Sequence, residues 1–214
     1  MKKLVLAVAT ALVSLMAWAQ TPEEILEKMT EAMNHDESEG MIMTVSMKVP
    51  ILGTFGMRAY TLGDKSRVEM KAMGKELVTW SDGVTSWEYD SKDNTITIRL
   101  EKPGEPSDAQ ENMNMVNGVT EGYDVKLLKE TDEAWFFRCD KQKTNKDKDD
   151  PKRIDISVYK GTYYLREMST TMKGVTMIIK SIEFGVKEED VTFDISRYKD
   201  AKIVDKRGEE KKQQ

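Results

Sequence analysis

Residues 41–49 read Met-Ile-Met-Thr-Val-Ser-Met-Lys-Val, and their alternation decides the fold class. Met41, Met43, Val45, Met47 and Val49 are apolar, whereas Thr44, Ser46 and Lys48 between them are polar. A period of two is the pattern of a β-strand with one buried face. Methionine builds much of that face, where β-branched and aromatic residues are the usual strand formers. Its unbranched thioether adapts to irregular apolar surroundings. Such a lining suits a cavity that accepts flexible hydrocarbon. It also suits a plain core, which composition alone favours.

The same alternation recurs on both sides of this stretch. Phe55, Met57 and Ala59 follow a turn at Pro50 to Gly53. Val68, Met70 and Ala72 alternate with Arg67, Glu69 and Lys71. Strands at 76–80 and 85–89 flank Asp82-Gly83, a hairpin signal, and Ile96, Ile98 and Leu100 alternate with Thr95, Thr97 and Arg99. The pattern predicts an antiparallel meander of six strands with one apolar and one polar face. On that reading Met43, Met47, Met57, Met70, Trp87, Tyr89, Ile98 and Leu100 all point inward. Further strands are expected at 123–128, 134–140, 153–159, 163–169 and 174–184, with an edge strand at 201–204. Ser107 to Asn117 is a weaker helical stretch. Lys141 to Asp150 mixes lysines and aspartates, as the solvated tip of a hairpin does.

Before the strands, Thr21 is an N-cap with Pro22 at N1 and Glu24 at N3, the arrangement of a capping box. Ile25, Leu26, Met29, Ala32 and Met33 recur at helical spacing and form one apolar stripe. A sheet of ten or eleven strands curls, and its concave side needs a cover. The expected fold is therefore mostly β: an incomplete, strongly curled antiparallel barrel with an α-helical lid. The lid would close the mouth through Ile25, Leu26, Met29 and Met33, held by modest apolar contact so that it can open.

Lys2 and Lys3 precede an apolar run, Leu4 to Trp18, that ends in Ala17-Trp18-Ala19. This is the pattern of a secretory signal peptide cleaved before Gln20, which places the protein in the periplasm. The expected organisation is a signal peptide at 1–19, one half-barrel domain at 20–205 and a charged tail at 206–214. The formal charge is −5, and losing Lys2 and Lys3 makes it −7. An acidic chain argues against binding nucleic acid or an anionic lipid surface. Cys139 is the only cysteine, so no internal disulfide can form, and its aromatic surroundings read as a buried small hydrophobe. His35 is the only histidine, no spacing resembles a zinc site, and no glycine loop cradles phosphate. The chain therefore reads as a binding protein, not an enzyme, with no cofactor.

The segment from Arg67 to Ile98 resembles the periplasmic lipoprotein carrier LolA and its wider superfamily. The resemblance is carried by Arg67-Val68-Glu69-Met70, Ser81-Asp82-Gly83 and Trp87-Glu88-Tyr89-Asp90. The early helix and the late Val191-Thr192-Phe193-Asp194 and Ala201-Lys202-Ile203-Val204-Asp205 also fall where that family begins and ends. It implies an incomplete barrel with a helical lid and a cavity for acyl chains of lipoproteins or other lipids. It implies a monomer loaded by an inner-membrane transporter and unloaded to an outer-membrane acceptor. The ligand-binding positions would be Ile25, Met29, Met33, Met43, Met47, Met57, Met70, Trp87, Tyr89, Ile98 and Leu100. Arg58 or Arg67 would hold the lid. The chain lacks the family's aromatic "Phe-Arg-Trp" element and is richer in methionine. An envelope-stress sensor or protein-binding module on the same scaffold is the alternative.

Overall fold

A computed structural model describes residues 20–36, 39–101, 121–148 and 150–208. The signal peptide expected at 1–19, the helical stretch expected at 107–117 and, of the tail expected at 206–214, the part beyond residue 208 lie outside the described residues.

Helix α1 spans Pro22–Asp36. Its capping box forms: the Thr21 amide donates to Glu24 Oε2 at 3.0 Å and the Glu24 amide to Thr21 Oγ1 at 3.2 Å. Gly40 then carries the chain into the first strand with φ +71°. A Cβ there would lie 2.6 Å from the Thr61 carbonyl oxygen and 2.8 Å from Val186, so only glycine fits.

Six strands follow in succession: β1 (Met41–Val49), β2 (Gly53–Leu62), β3 (Lys65–Ala72), β4 (Lys75–Ser81), β5 (Thr85–Asp90) and β6 (Thr95–Leu100). A second run comprises β7 (Tyr123–Glu130), β8 (Ala134–Lys141), β9 (Arg153–Tyr159), β10 (Leu165–Met172) and β11 (Val175–Phe184). The short helix α2 (Glu188–Val191), a 3₁₀ turn (Ile195–Tyr198) and β12 (Lys202–Asp205) complete the chain. All twelve strands lie in one sheet, ordered β12-β6-β5-β4-β3-β2-β1-β11-β10-β9-β8-β7. The two meanders are thus joined by the pairing of β1 with β11. Among the described residues every pairing is antiparallel except β12 with β6. The sheet is curled and unclosed, as expected of an open barrel. Among the described residues the eleven expected strands form, and the edge strand expected at 201–204 is the twelfth, at Lys202–Asp205.

Directly paired residues of an antiparallel ladder share a face. Met43 and Val45 of β1 therefore share a face with Ala59 and Met57 of β2 and with Val68 and Met70 of β3. The α1 stripe packs there, in one buried cluster with Met41, Met43, Phe137, Ile156 and Met168. Ile25, Leu26, Met29 and Met33 are each at 3% exposure or below. This corrects the expectation of a lightly held lid. The helix is part of the closed core, because a stripe spaced at i, i+3 and i+4 presents all four side chains to the sheet at once.

Candidate functional site

The face that α1 covers is also where the apolar surface opens. Moving along β1 away from the helix, Met47 pairs with Met177 on one side and with Phe55 on the other. Val45 pairs with Met57, which pairs with Met70, which pairs with Leu77. Met47, Met57, Met70, Met177, Phe55 and Leu77 are all half-buried. Met47, Met57 and Met177 also pack against the α1 core cluster. The result is a methionine-rich band, continuous with the core but not sealed by the described residues. Methionine on such a surface can re-pack around a ligand of variable shape at little rotamer cost.

The structure separates the eleven sequence-derived site residues into three groups. Met47, Met57 and Met70 lie in the band. Ile25, Met29, Met33 and Met43 share its face but are fully buried in the core. Trp87, Tyr89, Ile98 and Leu100 do not join them, which corrects the reading of a single inward face. Trp87 pairs with Trp80, Trp80 with Arg67, and Arg67 with Tyr60, all on the face opposite α1. Ile98 pairs with Trp87, and Leu100 follows two residues later on the same face. From β4 to β6 the helix-side face instead carries Thr79, Glu88, Asp90 and Thr97.

The opposite face has its own cover. The segment after α2 lays Phe193 and Tyr198 across it. Phe193 stacks on Trp87 with ring centroids 5.3 Å apart and meets Trp80 edge-on at 5.4 Å. Tyr198 lies 4.6 Å from Tyr89 and 5.7 Å from Trp80. The sequence reading missed both as partners of these strands. Aromatic letters clustered at 193 and 198, beyond the last long strand, were the available signal.

Arg67 anchors this cover, not α1. Its guanidinium donates from Nη1 to the Asp190 carbonyl at 3.2 Å, pairs with Glu69 and sits over the Tyr60 ring at 4.9 Å. Arg58 is on the same face, paired with Glu69 in register. Neither arginine can hold the helix as the resemblance implied, because the sheet lies between them and α1.

A further depression of 370 Å³ opens between β9 and β10 and is lined by Lys152, Arg153, Asp155, Ser169, Thr170 and Thr171. Two of its charged residues are engaged: Arg153 with Asp140 and Asp155 with Arg138, each at 3.0 Å. It offers nothing to hydrocarbon. Cys139 is fully buried, and burial, with Asp155 and Asp140 near it, pushes its thiol up to about 12. That is the state of an inert core cysteine. Among the described residues no helix is long and apolar enough to cross a membrane.

No family model and no curated protein matches the chain. Solved structures similar to it in fold include an uncharacterized conserved protein from Thermus thermophilus. The two are 16% identical with a TM-score of 0.48, over 87% of this chain and 100% of that one. The LolA superfamily protein NE2245 from Nitrosomonas europaea is 12% identical with a TM-score of 0.33, over 82% and 99%. A putative outer membrane lipoprotein-sorting protein domain from Vibrio parahaemolyticus is 14% identical with a TM-score of 0.34, over 80% and 97%. At these identities the likeness is one of fold alone.

Proposed function

We propose that the chain is a periplasmic carrier that holds acyl chains of lipoproteins or other lipids on the methionine band and releases them without covalent chemistry. The observation that supports this most is the band itself: half-exposed methionines on the helix side of an open sheet, adjoining a sealed core. Each methylene taken out of water contributes about 0.8 kcal/mol. A long chain therefore gains on the order of 10 kcal/mol before ordering costs, enough for capture without a polar anchor. The binding positions reduce to Met47, Met57 and Met70 with Phe55, Leu77 and Met177. The other sequence-derived positions support the fold around them. Export through a cleaved signal peptide, a monomeric state and hand-off between an inner-membrane transporter and an outer-membrane acceptor belong to the same proposal.

Mass spectrometry of an organic extract of gently purified protein tests it, alongside titration with a fluorescent fatty acid. Co-purified lipid and saturable probe binding are expected, with Met57→Asp and Met70→Asp each weakening the probe at least about tenfold, since a charge beside hydrocarbon is costly. Protein that carries no lipid and binds no probe would overturn the reading.

A further inference from the structure

The band ends at one rim of the sheet, and that rim has an unusual surface. Three hairpin turns meet there side by side: Pro50 to Leu52 between β1 and β2, Met73-Gly74 between β3 and β4, and Lys173-Gly174 between β10 and β11. The register places them together, with Lys48 paired to both Thr54 and Thr176, and Gly56 paired to Lys71. A Cβ on Gly174 would lie 3.8 Å from Pro50.

These tips expose apolar side chains to water. Ile51 is fully exposed, Met73 is 77% exposed and Leu52 is 56% exposed. Local folding does not ask for them. Ile51 has φ +72°, Met73 +51° and Lys173 +49°, in the left-handed region that suits glycine or asparagine. Met73-Gly74 has positive φ at both central positions, as a type I′ hairpin does, where Asn-Gly is the favoured pair. A β-branched isoleucine in that region is strained, and strain retained at an exposed tip points to a use outside the fold.

The three tips are also locally basic, although the neighbouring β5–β6 turn at the same rim carries Asp90 and Asp93. Residues 47–57, 70–75 and 172–177 contain Lys48, Lys71, Lys75 and Lys173 and no aspartate or glutamate, and the next residue, Glu76, pairs with Lys71 at 3.4 Å. The whole protein is nevertheless net −5. These same short segments hold Met47, Met57, Met70, Met73, Met172 and Met177, six of the 15 methionines.

We infer that this rim docks on the surface of an anionic lipid bilayer. Ile51, Leu52 and Met73 enter the headgroup boundary, and Lys48 and Lys75 beside them lie against anionic headgroups. Exposed apolar tips ringed by lysine combine the two attractions that interfacial binding uses, apolar burial and charge. The overall acidity noted from composition does not oppose this, because attraction to a membrane acts within about a Debye length, roughly 8–10 Å, of the contacting surface. Docked this way, the open end of the methionine band faces the bilayer, so hydrocarbon passes between membrane and band with little exposure to water.

Flotation with vesicles tests the inference on the protein as the expressing cell processes it. The vesicles are phosphatidylcholine alone or phosphatidylcholine with phosphatidylglycerol. Binding to the mixed vesicles is expected, several-fold stronger than to phosphatidylcholine alone. The combined Ile51→Asn and Met73→Asn protein is expected to float at least tenfold less while its melting temperature stays level or rises, since asparagine accepts the left-handed backbone. Lys48→Glu with Lys75→Glu should abolish the preference for phosphatidylglycerol. Val84→Asp, in the β4–β5 turn at the other rim and 64% exposed, should float as the unaltered protein does. Absence of vesicle binding would overturn the inference, and so would asparagine variants that float normally or a Val84→Asp protein that fails equally. The inference and the carrier reading fail separately. Rim variants that lose vesicles but still bind fluorescent fatty acid support the rim, and a protein that floats through the rim yet binds no fatty acid refutes only the carrier.

Discussion

The two faces of this sheet are both apolar, but in different places and with different chemistry. On the α1 side, methionine and aliphatic residues run from β7 through β11 to β1, β2 and β3, sealed under the helix and half-exposed beyond it. On the other side, the rings of Trp80, Trp87 and Tyr89 are covered by the two rings of Phe193 and Tyr198. Stacked and edge-on rings have fixed geometry, each adding about 0.5–1.5 kcal/mol beyond burial. A face finished in that way has no vacancy for a ligand. Flexible thioethers at an open edge impose no such geometry. An apolar sheet face is therefore not enough to nominate a site; whether the chain itself supplies the cover decides.

The largest effect is expected where the methionine face is already closed. Met43→Asp buries a carboxylate that has no partner among Val45, Ala59 and Ile182, and should cost roughly 3–5 kcal/mol. Ser46→Asp, further along β1 on the opposite face, should change stability by no more than about 0.5 kcal/mol. Paired chemical denaturation curves distinguish them, and similar midpoints would break the assignment of faces.

Trp87→Ala should come next, at roughly 3 kcal/mol, by removing the ring that Phe193 stacks on. Its value lies in the contrast it draws. Fatty-acid binding, measured well below the melting temperature, should stay within about twofold of the unaltered protein, since Trp87 is across the sheet from the band. A tenfold loss would mean that the aromatic face, not the methionine face, holds the ligand.

Much of this was legible in the sequence. The period-two runs, the Asp82-Gly83 hairpin, the Thr21–Glu24 capping box and the α1 stripe all formed where local chemistry places them. The side on which each strand presents its apolar residues was harder to read, because alternation gives two faces without naming them. In β4, Leu77 and Val78 are adjacent and apolar, so either phase reads as a strand. Turn length carried the missing information. The two-residue turn Met73-Gly74 pairs Ala72 with Lys75, which puts Leu77 with Met70 and leaves Val78 and Trp80 on the far side. Counting onward through the next two hairpins sends Trp87, Tyr89, Ile96 and Ile98 to that far side too. The docking of Phe193 and Tyr198 is a long-range choice that no local pattern encodes.

The smallest expected effect concerns α1, and it separates two kinds of carrier. A lid that swings must shed its buried contacts, and here Ile25, Leu26, Met29 and Met33 would all become exposed. At about 1.5–3 kcal/mol for each large apolar side chain, opening the whole helix would consume most of the stability of an ordinary domain. An acyl chain seated on the band does not require that movement. Hydrogen exchange should therefore show the α1 amides equally protected with and without fatty acid, to within roughly twofold in rate. Amides of β2 and β3 around Met57 and Met70 should slow on binding, because a ligand there suppresses local opening. If α1 instead exchanges several-fold faster or slower with ligand while β2 and β3 stay unchanged, the helix is the moving part, and the ligand lies beneath it in what is here a closed core.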